Sequence, residues 1–174
     1  VLGNGDIWTG SDALEMMART GADGVVVGRG CLGRPWLFSQ LTAAFAGEEL
    51  PTEPRLGRVL QILRRHAELL TLDYGEAKGC RDMRKHMSWY LKGFSVAHTV
   101  RQALGTVQTL AEIDALLAQI DPDQAFNSEV GSGPRGRTSG SRRPALPDRW
   151  LETCELTADD RVNVSLAELS VSGG

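Results

Sequence analysis

A chain of 174 residues, 41% hydrophobic and with a formal net charge of −3, has room for one domain or one and a half, and that charge excludes a uniformly basic nucleic-acid binder. Cys31, Cys80 and Cys154 form no CxxC pair and show no metal-ligand spacing, which excludes a disulfide scaffold and points to a reducing compartment. That spacing leaves no bound metal expected, and no apolar run reaches membrane-spanning length, so no membrane partner is expected either.

The first thirty residues predict a β-α-β unit. "VLG" reads as the end of a strand and "NGDIWTG" as a turn-rich loop. "SDALEMMART" carries Leu14, Met17 and Ala18 at helical spacing, with Ser11 as the expected N-cap and Gly21 where the helix stops. Met16 and Met17 read as core. "GVVVG" is a β-branched run, as in a strand buried on both faces of a parallel sheet. Two parallel strands cannot by themselves make such a sheet, so the chain reads as the C-terminal remainder of a larger α/β domain. A parallel crossover sets both strand ends on one edge. The two glycine turns that follow, Gly3-Asn4-Gly5-Asp6 and Gly28-Arg29-Gly30, therefore share that edge. They are either tight turns with a solvated arginine or a phosphate site, in which glycines admit close approach and Arg29 adds a forked cation. Two such turns at consecutive strand ends favour the phosphate site.

"CLGRPWLFSQLTAAFAG" predicts a helix begun by Pro35, with Trp36, Leu37 and Leu41 packed on the sheet side. Cys31 reads as a small packing residue. After the polar linker "EELPTEPR", residues 56–120 are almost wholly helical in pattern. They comprise a helix from Leu56, a second helix across "KGCRDMRKHMSWYLKGF" and two short ones, the last with Thr109 and Glu112 as a capping box. On the second helix, Met83, Met87, Tyr90, Leu91 and Phe94 share one face, and Arg81, Arg84, Lys85, Ser88 and Lys92 the opposite one. An ordinary solvated face mixes charge signs. This one is nearly all positive in an acidic chain, which points to the phosphates of a nucleic acid. His66, His86 and His98 read as packing or surface residues. From Pro122 the chain turns rich in Gly, Ser, Pro and Arg and predicts a flexible tail, within which Trp150 and Leu151 either dock on the α/β part or belong to a loose end.

"GNGDI", "GADGVVVGRGCLGRPWLF" and "MRKHMSWYLKGF", in that order over residues 1–121, resemble the C-terminal part of a bacterial tRNA-dihydrouridine synthase. The resemblance implies an α/β chain: the last βαβα part of a TIM (β/α)8 barrel in residues 1–46, then a small all-α tRNA-binding domain in 51–121 and a tail in 122–174. It implies FMN as cofactor, NADPH as reductant, tRNA as substrate, and a cytoplasmic enzyme that is monomeric at full length. Asn4, Gly5, Asp6, Gly28 and Arg29 are then flavin-phosphate contacts, and Arg81, Arg84, Lys85 and Lys92 tRNA contacts. The family's catalytic cysteine, and the lysine and histidine near its flavin ring, lie in earlier strands. No catalytic residue is therefore expected in this sequence, and the chain alone is expected to be inactive. The alternatives are a non-catalytic RNA-binding module built on the helical region, or another phosphate-binding flavin barrel with a small substrate, against which the basic helix speaks.

Overall fold

The computed structural model describes residues 1–131, 135, 157–159 and 161–162. Val1–Arg135 form one compact unit and Gly136–Gly174 another. In the second unit the Arg161 N–H donates to the Thr157 carbonyl at 3.1 Å. Trp150, Leu151 and most of the expected tail lie outside the described residues.

In the first unit β1 (Leu2–Asn4) and β2 (Gly24–Val26) pair in parallel, Leu2 opposite Gly24 and Asn4 opposite Val26. Helix α1 (Gly10–Thr20) makes the crossover and ends at Gly21, whose φ of 68° is the left-handed cap that glycine supplies. A 3-10 turn (Arg29–Cys31) and α2 (Leu37–Ala46) follow.

Three local expectations are corrected here. Thr9, rather than Ser11, caps α1: its hydroxyl accepts from Asp12 N–H at 3.2 Å, and Asp12 accepts from Thr9 N–H at 2.8 Å. The reciprocal box needs an acid or amide three residues on, which Thr9 has in Asp12 and Ser11 lacks, Leu14 standing there. The buried face of α1 is Gly10 and Ala13, while Leu14 is exposed. The reason is proximity: a Cβ at Gly10 would stand 2.8 Å from the Ala44 Cβ of α2, so only small residues fit the contact. Finally, β2 is not buried on both faces. Val26 is 43% exposed, because the described residues supply only one partner strand. Met16 is half-buried and packs with Val25, Val27 and Cys31 around Ile7, Ala13, Leu37 and Leu41.

The larger core is helical. Helices α3 (Leu56–Tyr74) and α4 (Glu76–Tyr90) form an antiparallel pair joined by Gly75 alone, at φ 80°. They cross so closely that a Cβ on Gly79 would lie 2.6 Å from the Thr71 backbone nitrogen. The two short helices are α5 (His98–Leu104) and α6 (Leu110–Leu117). Thr109 caps α6 by accepting from Glu112 N–H, and Glu112 accepts from Gln108 N–H. Leu56, Val59, Leu63, Met83, Met87, Leu104 and Ile113 are fully or almost fully buried among these four helices.

Helix α4 stops at Tyr90, short of Phe94, although Leu91 and Phe94 stay buried. Gly93 reverses the chain at φ 91°, and Arg101 closes the loop by donating to the carbonyls of Leu91, Phe94 and Val96 at 3.0, 2.7 and 3.2 Å. Trp36, expected on the sheet side, instead packs on the helical core and donates from Nε1 to Glu53 at 2.6 Å. The expected tail also begins later than Pro122. Gly57 and Leu56 N–H donate to Pro122 and Gln124 carbonyls, Phe126 meets Phe94 edge to face, and α7 (Ser128–Gly131) follows. One aromatic ring and three backbone hydrogen bonds, the third from Asn127 N–H to the Gly93 carbonyl at 2.9 Å, anchor a stretch whose composition alone predicts no packing.

Candidate functional site

Parallel pairing of β1 and β2 sends both chains out at the same edge. There the two glycine turns meet in a cavity of ≈ 310 Å³ lined by Asn4, Gly5, Asp6, Gly28 and Arg29, with Trp8 and Gly30 beside them. All five sequence-predicted cofactor residues are thus brought together. Gly5 has φ 133° and Asp6 φ 46°, so the turn uses backbone conformations that open its N–H groups. A Cβ at Gly5 or at Gly28 would meet nothing within 4 Å, which leaves the approach to both backbones clear. Arg29 reaches Asp6 at 3.4 Å, and its guanidinium lies 5.9 Å from the Trp8 ring centroid. Glycine backbone, one guanidinium and a hydrogen-bonding asparagine are a donor set for a phosphate, and the residues present fit that group.

Sequence reading missed what stands behind the cavity. A Cβ on Gly30 would lie 2.0 Å from the Ile7 carbonyl, so the two turns are packed backbone to backbone. Arg34, only 6% exposed, donates from Nη1 to the Trp8 carbonyl at 3.1 Å and from Nη2 to Glu53. Glu53 also accepts from Trp36 and Gln40. The first turn is therefore tied through Trp8, Arg34 and Glu53 to the linker before α3. Arg135 is buried close by, its Nε donating to the Trp89 carbonyl at 3.3 Å. Burial, with the Arg34 charge, pushes its pKa down to about 10, against the opposing pull of Glu53. The signal available in sequence was the run "GRPW", which reads as a helix start and does not disclose a buried cation.

Cys31 is half-buried, and its thiol lies 3.1 Å from the Gly28 carbonyl, in agreement with a packing role. The described residues hold no cluster of metal-ligating side chains and no helix long and apolar enough to cross a membrane.

The four candidate nucleic-acid contacts divide into two kinds. Arg81 and Lys85 are exposed on α4. Asp82, the acid between them, is held by Lys78 at 2.6 Å, and that hydrogen bond keeps its carboxyl below the usual range. Arg84 is half-buried and donates from Nε to the Val107 carbonyl at 2.8 Å, which ties α4 to the loop before α6. Lys92 is half-buried, and burial, then the Arg135 charge, lowers its pKa.

A ladder of rings runs between α3 and α4. His66 meets His86 at 4.8 Å, His86 meets Trp89 at 4.8 Å, and His66 Nδ1 lies 3.2 Å from the Tyr90 hydroxyl. Burial pushes the His86 pKa down to about 4, helped by the His66 and Lys85 charges, and burial lowers His66 as well. Burial thus disfavours the charged form of both rings in the folded chain. A histidine with a depressed folded pKa favours folding fully above its unfolded value of about 6.5, and that contribution fades as pH falls toward about 4. Thermal midpoints are therefore expected to fall as pH drops from 7 to 4.5. The His86→Gln variant, measured by circular dichroism, should show a shallower fall; an equally steep one would remove His86 as the cause.

The dihydrouridine synthase (Dus) family model matches residues 1–129. A probable tRNA-dihydrouridine synthase of Mycobacterium leprae (strain TN) is 52% identical over 175 residues, covering 100% of this chain and 44% of the relative. A probable tRNA-dihydrouridine synthase of Mycobacterium tuberculosis (strain ATCC 25618 / H37Rv) is 54% identical over 151 residues, 87% of this chain and 39% of the relative. A tRNA-dihydrouridine synthase B of Pasteurella multocida is 36% identical over 107 residues, 62% of this chain and 32% of the relative. The chain spans less than half the length of the curated relatives it matches. With more than two thirds of its length under the family model, and with both strand-end turns gathered on one edge, the chain belongs to the dihydrouridine synthase family.

Proposed function

We propose that this chain is the C-terminal part of an FMN-dependent tRNA-dihydrouridine synthase, which reduces uridine in tRNA to 5,6-dihydrouridine with NADPH in the cytoplasm. The single observation that carries the reading is the cavity at the end of β1 and β2, in which Asn4, Gly5, Asp6, Gly28 and Arg29 converge. Residues 1–46 are in this reading the last part of a TIM barrel, and 51–121 the tRNA-binding domain. A parallel sheet that has only two strands among the described residues, and coverage of under half of each relative, support the barrel reading.

When bound, FMN supplies the hydride that saturates the uracil ring. The chain's own contribution is binding and orientation. The Gly5 and Gly28 backbones and the Arg29 guanidinium hold the cofactor phosphate. Asp6 fixes the Arg29 fork through their ion pair. Arg34 keeps the Trp8 end of the turn in place. The proton donor and the residues at the flavin ring belong to other parts of the enzyme, so residues 1–174 alone form no dihydrouridine.

On the tRNA side, Arg81 and Lys85 offer exposed cations on a rigid helix. Such contacts carry affinity and salt dependence and little base identity. In the full-length enzyme, Arg81→Ala with Lys85→Ala should weaken tRNA binding and flatten log affinity against log salt by about 0.7–0.9 per lost contact. Bound flavin absorbance should not change. Filter binding across a salt series, with a dihydrouridine assay beside it, checks this. Failure of the parent enzyme to reduce tRNA with NADPH would overturn the proposed activity, and an unaltered salt slope would return α4 to an ordinary solvated face.

A further inference from the structure

A second concavity lies away from the glycine turns. It is an open groove of ≈ 420 Å³ along α3, bounded by Pro35 and floored by Ile62, Leu69, His66 and Tyr90. Its volume is within the ~300–1,000 Å³ of small-molecule sites. The lining has two chemical halves. The floor is apolar and aromatic, with Leu69 standing 48% exposed. The rim is cationic: Arg58 and Arg65 stand two turns apart on the exposed side of α3. Arg58 hydrogen-bonds Gln61 at 3.1 Å, and Arg65 pairs with Glu68 at 2.7 Å. Both side chains of that pair are well exposed, so it contributes little and Arg65 can be shared with another anion. Tyr90 and Ile62 also serve the core, which α3 fills from its other side with Leu56, Val59, Leu60, Leu63 and Ala67, but Leu69, Arg58 and Arg65 are exposed and have no part in it.

A flat ring on the floor and an anion at the rim describe a nucleotide. An uncharged apolar occupant would leave the two guanidiniums without a role. His66, which lines the groove, meets His86 of α4, the neighbour of Lys85 in sequence, edge to face at 4.8 Å. Burial disfavours the charged form of His66, the histidine that lines the groove. We propose that this groove takes one unstacked nucleotide of the RNA, its base on Ile62, His66 and Leu69 and its phosphates at Arg58 and Arg65. The inference rests on the RNA-binding reading given above and adds a base-binding subsite to it. The nucleotide is one that the tRNA presents alongside the target base, since the glycine-turn cavity is lined by different residues.

The test uses the full-length protein, a tRNA transcript and a ten-residue oligouridylate carrying 4-thiouridine. Arg58→Ala with Arg65→Ala should lower affinity for the oligouridylate at least tenfold and flatten its salt slope by about 0.7 per lost contact. Leu69→Glu, a change at a position 48% exposed, should lower affinity for both RNAs by a similar factor. It should also abolish 4-thiouridine crosslinking to the α3 peptide while leaving bound flavin unchanged. If tRNA binds the parent protein but neither variant alters affinity, or the α3 crosslink persists in Leu69→Glu, the subsite is overturned and the RNA reading stands. If the parent protein binds neither RNA, both fall.

Discussion

Gly33→Ala is expected to unfold roughly 10 °C below the parent protein, with a loss of about 3–5 kcal/mol. Gly33 has φ +65°, where an L side chain costs about 1–2 kcal/mol. More of the effect comes from the neighbours. A Cβ here would stand 2.3 Å from the Trp89 carbonyl carbon and 2.6 Å from the Tyr90 nitrogen. Those are backbone atoms at the end of α4 and cannot swing away as a flexible side chain can. The loop that follows the Arg29 turn must then lift off α4, and with it the Arg34 and Trp36 contacts to Glu53. Gly21→Ala is the control, because its φ is +68° and a Cβ there meets nothing within 4 Å. It should lose only about 1–2 kcal/mol. Thermal unfolding of the two variants side by side separates the terms. Equal losses would show that the loop is not pressed against α4.

Arg34→Met should cost about 3 kcal/mol and weaken flavin binding. The Arg34 side chain is 7% exposed, and that of its partner Glu53 is 25% exposed. Removing one member of a buried pair leaves the other charge without compensation, which costs roughly 3–5 kcal/mol; the partial exposure of Glu53 argues for the lower end. Arg34→Lys should recover little. A single ammonium cannot span the Trp8 carbonyl and Glu53 as a guanidinium fork does. Arg34→Met combined with Glu53→Gln should recover part of the stability, because the stranded carboxylate is gone. Flavin affinity should stay low in that double variant, since the Trp8 carbonyl is still released. Denaturant titration and flavin fluorescence read the two effects separately. A single variant within about 0.5 kcal/mol of the parent would remove Arg34 from this role.

What could be read in the sequence depends on how local the cause is. The convergence of Asn4, Gly5, Asp6, Gly28 and Arg29 was legible because a parallel crossover leaves no choice of edge. The two long helices and the two short ones were legible from apolar spacing and the Thr109 cap. Partners at a distance were not. A helical wheel gives the direction of Arg84 but not its reach, and the side chain bends to the Val107 carbonyl. Leu14 outranks Ala13 in hydrophobicity, yet the narrow gap to α2 admits the smaller residue. Arg34 looks like a surface cation until Glu53, nineteen positions on, turns out to face it. Phe126 lies in a polar stretch and shows its role only through Phe94.

The single-residue link at Gly75 also bears on the order in which the helical region assembles. Helices α3 and α4 meet through residues close in sequence, so their pairing requires closure of almost no loop. The segment that seals the other end of α3 is remote, since Leu56 N–H waits for the Gln124 carbonyl. On a growing chain the α3–α4 hairpin can therefore close as soon as Tyr90 is free. The Pro122–Gln124 clasp follows only after α5 and α6 have been made. Short sequence separation thus favours early pairing of the hairpin, and long separation puts the clasp at the costlier end of loop closure.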